Sequence, residues 1–124
     1  MKRAFAALTL ALCLPGALAA QDSAQQSVEA PRGELRWLDK VSGATDDLDL
    51  AVGESGTRGR LTIRLDDCRY PADNPSGDAY AHLTISDTLA TEPVFQGWMI
   101  ASSPALSALD HSRYDVWLLR CKTP

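Results

Sequence analysis

Apolar and polar residues alternate with a period of two in three separate stretches of this 124-residue chain. The alternation runs through residues 60–66, where Leu61, Ile63 and Leu65 are the apolar members, and through residues 79–86 and 47–52. A period of two is that of a β-strand with one face on a core and the other face in solvent. The chain is therefore expected to adopt a mostly β fold.

Three further stretches predict strands because they are rich in Trp, Val, Ile and Phe; they cover residues 34–41, 94–101 and 114–121. Turn-forming residues at 42–43, 53–59 and 71–77 separate the strand candidates. About six short strands of this kind predict a small antiparallel sandwich or a partly open barrel.

One short helix is expected before the last strand. Ser103 would cap it, Pro104 would take its first helical position, and Leu106 and Leu109 would share one face. The helix would end near Asp110 and close one end of the sheet core.

The N-terminal residues 1–19 have the order of features of a secretory signal peptide. Lys2 and Arg3 precede an apolar stretch, and small residues then lead to a cleavage site near Ala19. The apolar stretch is shorter than the roughly 20 residues of a membrane-spanning helix, so no transmembrane segment is expected in the mature chain. A lipoprotein acylated at Cys13 is the disfavoured alternative, because the bulky Leu12 stands where a small residue belongs. We expect a periplasmic or secreted protein.

Two cysteines, Cys68 and Cys121, remain after the signal peptide is removed. In a small exported domain such a pair predicts a disulfide, which would close the fold. If Leu65 faces the core, strict alternation directs Cys68 to solvent, so we predict a β-bulge or strand end at residues 66–67 that turns Cys68 inward. A disulfide on the outer face of the sheet is the alternative.

The final strand candidate sets the environment of the second cysteine. Alternation predicts that Cys121 shares a face with Trp117 and Leu119. The three tryptophans Trp37, Trp98 and Trp117 are expected in the core, because an indole buries a large apolar area.

Composition divides the mature chain into a polar segment and one domain. Residues 20–33 are polar and predict a flexible linker, whereas residues 34–124 predict a single β domain. Without Lys2 and Arg3, the chain has 10 Lys and Arg against 16 Asp and Glu, a net charge of −6. An acidic surface is unsuited to nucleic acid, so no nucleic-acid partner is expected. The sequence indicates no cofactor and leaves the oligomeric state open.

Several runs of the chain resemble a known family. The runs GELRWLDK, CRYP, DAYA, GWMIASSPALSALDH and YDVWLLRC, between Gly33 and Cys121, are similar to the domain-of-unknown-function 2155 family, DUF2155. Its members are small exported proteins of alphaproteobacteria. The resemblance implies an envelope location, the two cysteines as a shared feature and a link to outer-membrane lipid transport. It implies no catalytic residue.

A candidate ligand face follows if strands 60–66 and 79–86 are neighbours. Arg60, Arg64, Tyr80 and His82 would then lie on the outward face, where two guanidinium groups could bind a carboxylate or phosphate. An ordinary solvated sheet face is the favoured alternative.

Catalytic and metal sites are not assigned. Ser102, Ser103, Asp110 and His111 hold hydrolase residue types, but no glycine-framed nucleophile turn accompanies them. The oxygen-rich stretches 46–49 and 73–78 lack the spacing and the closing glutamate of a calcium loop. We therefore expect a non-enzymatic accessory or binding domain with an envelope protein partner. A lipid- or sugar-binding β-barrel and a periplasmic hydrolase are the alternatives.

Overall fold

The computed structural model of the protein describes Gly16 and residues 26–124. Apart from Gly16, the predicted signal peptide and residues 20–25 of the predicted linker lie outside the described residues, so the signal peptide and this part of the linker stay predictions. None of the helices in the described part of the chain has the length and apolar character needed to cross a membrane.

Eight strands form two antiparallel sheets in the described residues: β1 Ser27–Glu29, β2 Arg32–Asp39, β3 Thr45–Ala51, β4 Ser55–Arg58, β5 Leu61–Pro71, β6 Tyr80–Asp87, β7 Phe95–Ile100 and β8 Tyr114–Lys122. The larger sheet has the order β1-β5-β6-β7, with β4 also paired to β5, and the smaller has the order β3-β2-β8. The sequence leaves two architectures open, a sandwich and a partly open barrel. The structure is a sandwich, and the described strands do not close into a barrel.

The core lies between the sheets and follows the alternation in the sequence. Leu61, Ile63 and Leu65 of β5 are completely buried, and so are Leu83 and Ile85 of β6. The smaller sheet contributes a matching apolar face, which contains Leu35, Trp37, Leu48, Leu50, Val116 and Leu118. Period-two patterning thus predicts the buried face of each of these strands, because alternate side chains point to opposite sides of the sheet.

Two short strands arise where no strand was expected. Strand β1 lies in the stretch expected to be a linker, and β4 lies in the 53–59 stretch expected to be a turn. Both pair with the same edge of β5, where Val28 is opposite Tyr70 and Thr57 is opposite Thr62. Neither strand carries an apolar face; backbone hydrogen bonds to an existing edge hold them, and such bonds leave no periodic signal in the sequence.

The disulfide joins the two sheets. Cys68 on β5 is bonded to Cys121 on β8, with a Cα–Cα distance of 5.8 Å. The register of β5 against β6 shifts between Leu65 and Asp67, which confirms the predicted bulge. Cys68 is consequently turned inward and is fully buried.

The environment predicted for Cys121 is wrong. The buried face of β8 carries Val116 and Leu118, not Trp117 and Leu119. A second register shift, which leaves Leu119 without a partner on β2, turns Cys121 onto the inner face. The bulge was not predicted because its position depends on the pairing of β8 with β2.

The predicted helix is reduced to a single 3-10 turn at Pro104–Leu106. Pro104 does begin the turn, but the Ser103 side chain makes no capping hydrogen bond. Leu109 is buried whereas Leu106 is 77% exposed, so the two leucines do not share a buried face. One turn is too short to carry both leucines to the core.

Candidate functional site

The outward face of the larger sheet carries a polar cluster at the β5 bulge, built by residues from three strands. Arg64 is opposite Thr84, Asp67 is opposite His82, and His82 is opposite Trp98. The bulge inserts Asp66 between the first two of these rows. Bulges occur often beside functional sites because the extra residue re-aims a side chain.

Asp66 is the centre of this cluster. Its Oδ2 atom lies 2.8 Å from Nδ1 of His82 and accepts a hydrogen bond of 2.7 Å from the Thr84 hydroxyl, and its Oδ1 atom accepts one of 2.5 Å from Nε of Arg64. Partial burial raises the pKa of Asp66, but the bonds from Thr84, Arg64 and His82 outweigh it and leave this pKa below its ordinary value. The carboxylate is therefore ionised at neutral pH.

His82 is oriented by that carboxylate. An ionised Asp66 can only accept hydrogen bonds, so Nδ1 of His82 carries the proton and the Nε2 atom of the neutral ring is an acceptor. No hydrogen bond from a described residue reaches Nε2, and 29% of the side chain is exposed. The Trp98 ring meets the imidazole edge-on at a centroid distance of 5.4 Å. The cluster thus presents a free ring nitrogen next to an exposed indole.

Two of the four predicted ligand-face residues meet in this cluster, Arg64 and His82. Arg60 lies at the end of the sandwich, where Nε is 3.3 Å from Asp87 and the guanidinium lies 5.3 Å from the centre of the Tyr114 ring. Tyr80 lies one row beyond His82, opposite Arg69. Whether this face binds a ligand stays a prediction.

Three members of the cluster were not among the predicted site residues: Asp66, Thr84 and Trp98. The expectation that Trp98 lies in the core is wrong, since its exposed fraction is 43%. Alternation provides the signal that could have found it, because the polar Gln96 lies two residues before Trp98 and alternate residues of a strand share a face. Trp37 is buried as expected. Trp117 is only half-buried, on the outer face of β8, so the expectation that it lies in the core is also wrong.

The second histidine, His111, has a different environment at the end of the sandwich. Its Nδ1 atom accepts hydrogen bonds from the backbone amides of Arg113 and Tyr114, at 3.0 and 3.1 Å. Its Nε2 atom therefore carries the proton and donates a hydrogen bond to Asp87, 2.7 Å away. Hydrogen bonds from the Leu89 amide, His111 and Arg60 hold the pKa of Asp87 well below its usual range. Because both ring nitrogens are used, His111 has no lone pair to act as a base.

The other hydrolase candidates do not approach a histidine. The Ser102 hydroxyl donates to Asp78 at 2.7 Å, and in residues 26–124 the hydrogen bonds of the two imidazoles go only to carboxylates and backbone amides. A serine nucleophile needs a base within about 3 Å. The described residues therefore contain no contact between a serine hydroxyl and a histidine.

The acidic stretch 46–49 forms ion pairs on β3. Arg36 binds Asp47 at 2.8 Å, and Arg32 and Lys122 bind Asp49. These cations lower the pKa of both aspartates. Within the described part of the chain, no group of three His, Cys, Asp or Glu side chains is arranged to hold a metal ion.

A comparison with known protein families identifies one match for this chain. Residues 33–121 match a family described as "Uncharacterized protein conserved in bacteria (DUF2155)". The chain belongs to the DUF2155 family. The DUF2155 region begins at Gly33, which pairs with Cys121, and it ends at Cys121. The family region thus runs from the residue that packs on the disulfide to the second cysteine.

One curated relative of the chain is the uncharacterized protein RP359 of Rickettsia prowazekii (strain Madrid E). It is 30% identical over 92 residues, which cover 72% of this chain and 59% of the relative. The chain thus spans about three-fifths of the length of that relative. No solved structure matches the chain.

Proposed function

We propose that this DUF2155 protein is a non-enzymatic binding domain of the bacterial cell envelope, exported to the periplasm. It contacts a protein partner through the outward face of the larger sheet, around His82 and Trp98. The exposure of Trp98 beside the ordered His82–Asp66 pair is the observation that carries the proposal. Tryptophan is enriched among the few residues that dominate the binding energy of protein interfaces.

The cluster suits recognition because its side chains are already ordered. Asp66 holds Arg64, Thr84 and His82 in one geometry before any ligand arrives, so little rotamer entropy would be lost on binding. Trp98 supplies apolar area and the free Nε2 atom of His82 supplies a hydrogen-bonding group. An apolar anchor surrounded by polar groups is the usual anatomy of a protein interface.

Export is supported by the N-terminal sequence and by the disulfide. Residues 1–19 carry signal-peptide features, and Cys68–Cys121 is a bond that persists in oxidising compartments. Fractionation of cells and N-terminal sequencing of the mature protein test this part. We expect a periplasmic protein that begins at Ala20 or Gln21; an uncleaved cytoplasmic chain would contradict it.

The partner face can be tested by site-specific photo-crosslinking in living cells. A photoreactive residue at Ser86 probes the outward face of β6 without disturbing the cluster, and one at Val41 probes an exposed turn of the smaller sheet. We expect one identifiable adduct from position 86 and none from position 41. Equal adducts from both positions would contradict a defined partner face.

The same adduct should depend on the proposed anchor. Trp98→Ala is expected to weaken binding by about 2 kcal/mol or more, which is about 30-fold in affinity. Leu89→Ala is the matched control, because Leu89 is also apolar and exposed but lies outside the cluster. An adduct that survives Trp98→Ala unchanged would overturn the proposed face.

A further inference from the structure

Strand β7 is an edge strand with an open outer side. It pairs with β6 on one side, and no described strand pairs with the other. An open edge presents unpaired N–H and C=O groups that can bind another strand. Edge strands in native proteins are usually protected by charges, by short length or by a covering segment.

The other edges of the two sheets are protected in these ways, whereas β7 is not. Strand β3 carries three aspartates, β8 carries Asp115, Arg120 and Lys122, and β1 and β4 are three and four residues long with one charge each. Strand β7 has six residues, FQGWMI, and none of them is charged. It is the one edge strand of the described chain that combines this length with no charge.

The ladder with β6 identifies which backbone groups are directed to the open side. Ala101 donates its N–H to the carbonyl of Ala79, which makes this pair a hydrogen-bonded one. Hydrogen-bonded and non-hydrogen-bonded pairs alternate along an antiparallel ladder. Gly97 and Met99 therefore bond to β6. Gln96, Trp98 and Ile100 direct their N–H and C=O groups outward, where the Ile100 carbonyl already accepts one hydrogen bond, from the Ser103 N–H at 3.2 Å, and keeps its second lone pair.

We propose that β7 pairs with β7 of a second copy of this chain, antiparallel and with Trp98 opposite Trp98 at a twofold axis. In this register Gln96 of each copy lies opposite Ile100 of the other, so no charged residue enters the new ladder. The two exposed indoles face each other on the outer surface, where aromatic cross-strand pairs stabilise a sheet. A twofold axis uses the same surface on both copies, and an uncharged strand suits that requirement.

Pairing of this kind extends the binding face described above. His82 and Trp98 lie in one row of the sheet, and the second copy continues that row with its own Trp98 and His82. Two Asp66-centred clusters then flank a central pair of tryptophans. A partner protein would meet a twofold surface to which both copies contribute residues. The pairing itself needs no partner, so its test is independent of the proposed function.

Cysteine crosslinking tests the register in the purified mature protein with its native disulfide intact. Residues opposite each other in a hydrogen-bonded antiparallel pair have Cα atoms about 5.5 Å apart, a separation that a disulfide spans. Trp98→Cys is therefore expected to form at least ten-fold more covalent dimer under mild oxidation than Gln96→Cys. The two Gln96 positions would lie about 14 Å apart along the strands, beyond disulfide reach. Equal crosslinking of both variants, or of neither, would overturn the register.

Sedimentation over a concentration series tests the dimer itself. The wild-type protein is expected to move from monomer to dimer between about 1 µM and about 500 µM, the range of a modest interface. Gln96→Pro removes an N–H that the monomer does not use, so it should leave the fold intact and weaken the dimer at least ten-fold. Trp98→Lys, which opposes two cations at the axis, should do the same, with Thr62→Lys on the same face as the control. A wild-type protein that stays monomeric, or variants that still dimerise, would overturn the proposal.

Discussion

Cys68 and Cys121 each lie just beyond a β-bulge in their own strand, and the two bulges together turn both sulfur atoms into the space between the sheets. One bulge follows Leu65 on β5, and the other follows Leu118 on β8. A single-residue shift exchanges the two faces of a strand. If one of the two bulges were absent, the cysteine of that strand would point to solvent, and the bond that joins the sheets could not form.

Removal of the disulfide should cost a large share of the stability. The bond closes a loop with a sequence separation of 53, for which the chain-entropy model gives about 4 kcal/mol. The Cys68→Ala/Cys121→Ala variant is therefore expected to unfold at a much lower urea concentration than the wild type. Reduction of the wild type by dithiothreitol should reproduce the shift, and an unchanged midpoint would contradict a structural role for the bond.

Gly33 should not tolerate a side chain, because it packs against the disulfide. A Cβ atom at Gly33 would lie 2.9 Å from Sγ of Cys68 and 3.2 Å from a methyl group of Leu65. Both neighbours are fully buried and cannot move freely. Gly33→Ala is expected to reduce the free energy of unfolding by about 1–3 kcal/mol, measured by urea denaturation.

Gly97→Ala is the matched control, since it also changes a glycine within a strand. A Cβ atom there meets only the Phe95 ring, at 3.7 Å, so the cost should be close to zero or slightly negative. Equal destabilisation by Gly33→Ala and Gly97→Ala would show that contact with the disulfide is not the cause.

The two histidines should show opposite neutral tautomers. Asp66 accepts a hydrogen bond from the Nδ1–H of His82, whereas Asp87 accepts one from the Nε2–H of His111. Long-range proton–nitrogen correlation spectra at a pH of about 8, where an ordinary imidazole is neutral, distinguish the two forms. Asp66→Ala should convert His82 to a mixture of tautomers and leave His111 unchanged. The same tautomer at both residues would contradict these hydrogen bonds.

Asp39 should make part of the stability depend on acid pH. The hydrogen bond from Arg113 lowers its pKa; burial opposes this, and the amides of Val41 and Ser42 lower it further, to about 2 from the ordinary 3.8. Because the folded pKa is depressed, the stabilisation is complete above about 4 and is lost as the pH falls through about 2.

Asp39→Asn removes that titration. Thermal melts between about pH 6 and about pH 2 should therefore show a smaller loss of stability with acid in Asp39→Asn than in the wild type. A parallel decline in the two proteins would place the acid sensitivity at other carboxylates. Asp73→Asn, on an exposed loop, serves as the control that should follow the wild type.

Local patterns in the chain predict most of the core and part of the candidate site. Alternation identifies the buried faces of β5 and β6, and it places Arg64 and His82 on the outward face. It does not predict that Asp66 binds both of them, because that contact requires the bulge and the pairing of two strands. Trp98 was misassigned to the core because indoles are usually buried, although its strand position indicates the outer face.

The β class, the disulfide and the bulge before Cys68 can be predicted from the chain alone, because all three depend on residue types and spacing that are local or unique in the chain. Three other features follow from tertiary contacts: the bulge in β8, the strands β1 and β4, and the reduction of the helix to one turn. Each of these depends on which edge or surface lies opposite, and that is set by contacts between residues far apart in the chain. The same reason applies to the cysteines. Their pairing follows from composition, whereas the geometry of the bond depends on the strand registers that turn both sulfur atoms into the space between the sheets.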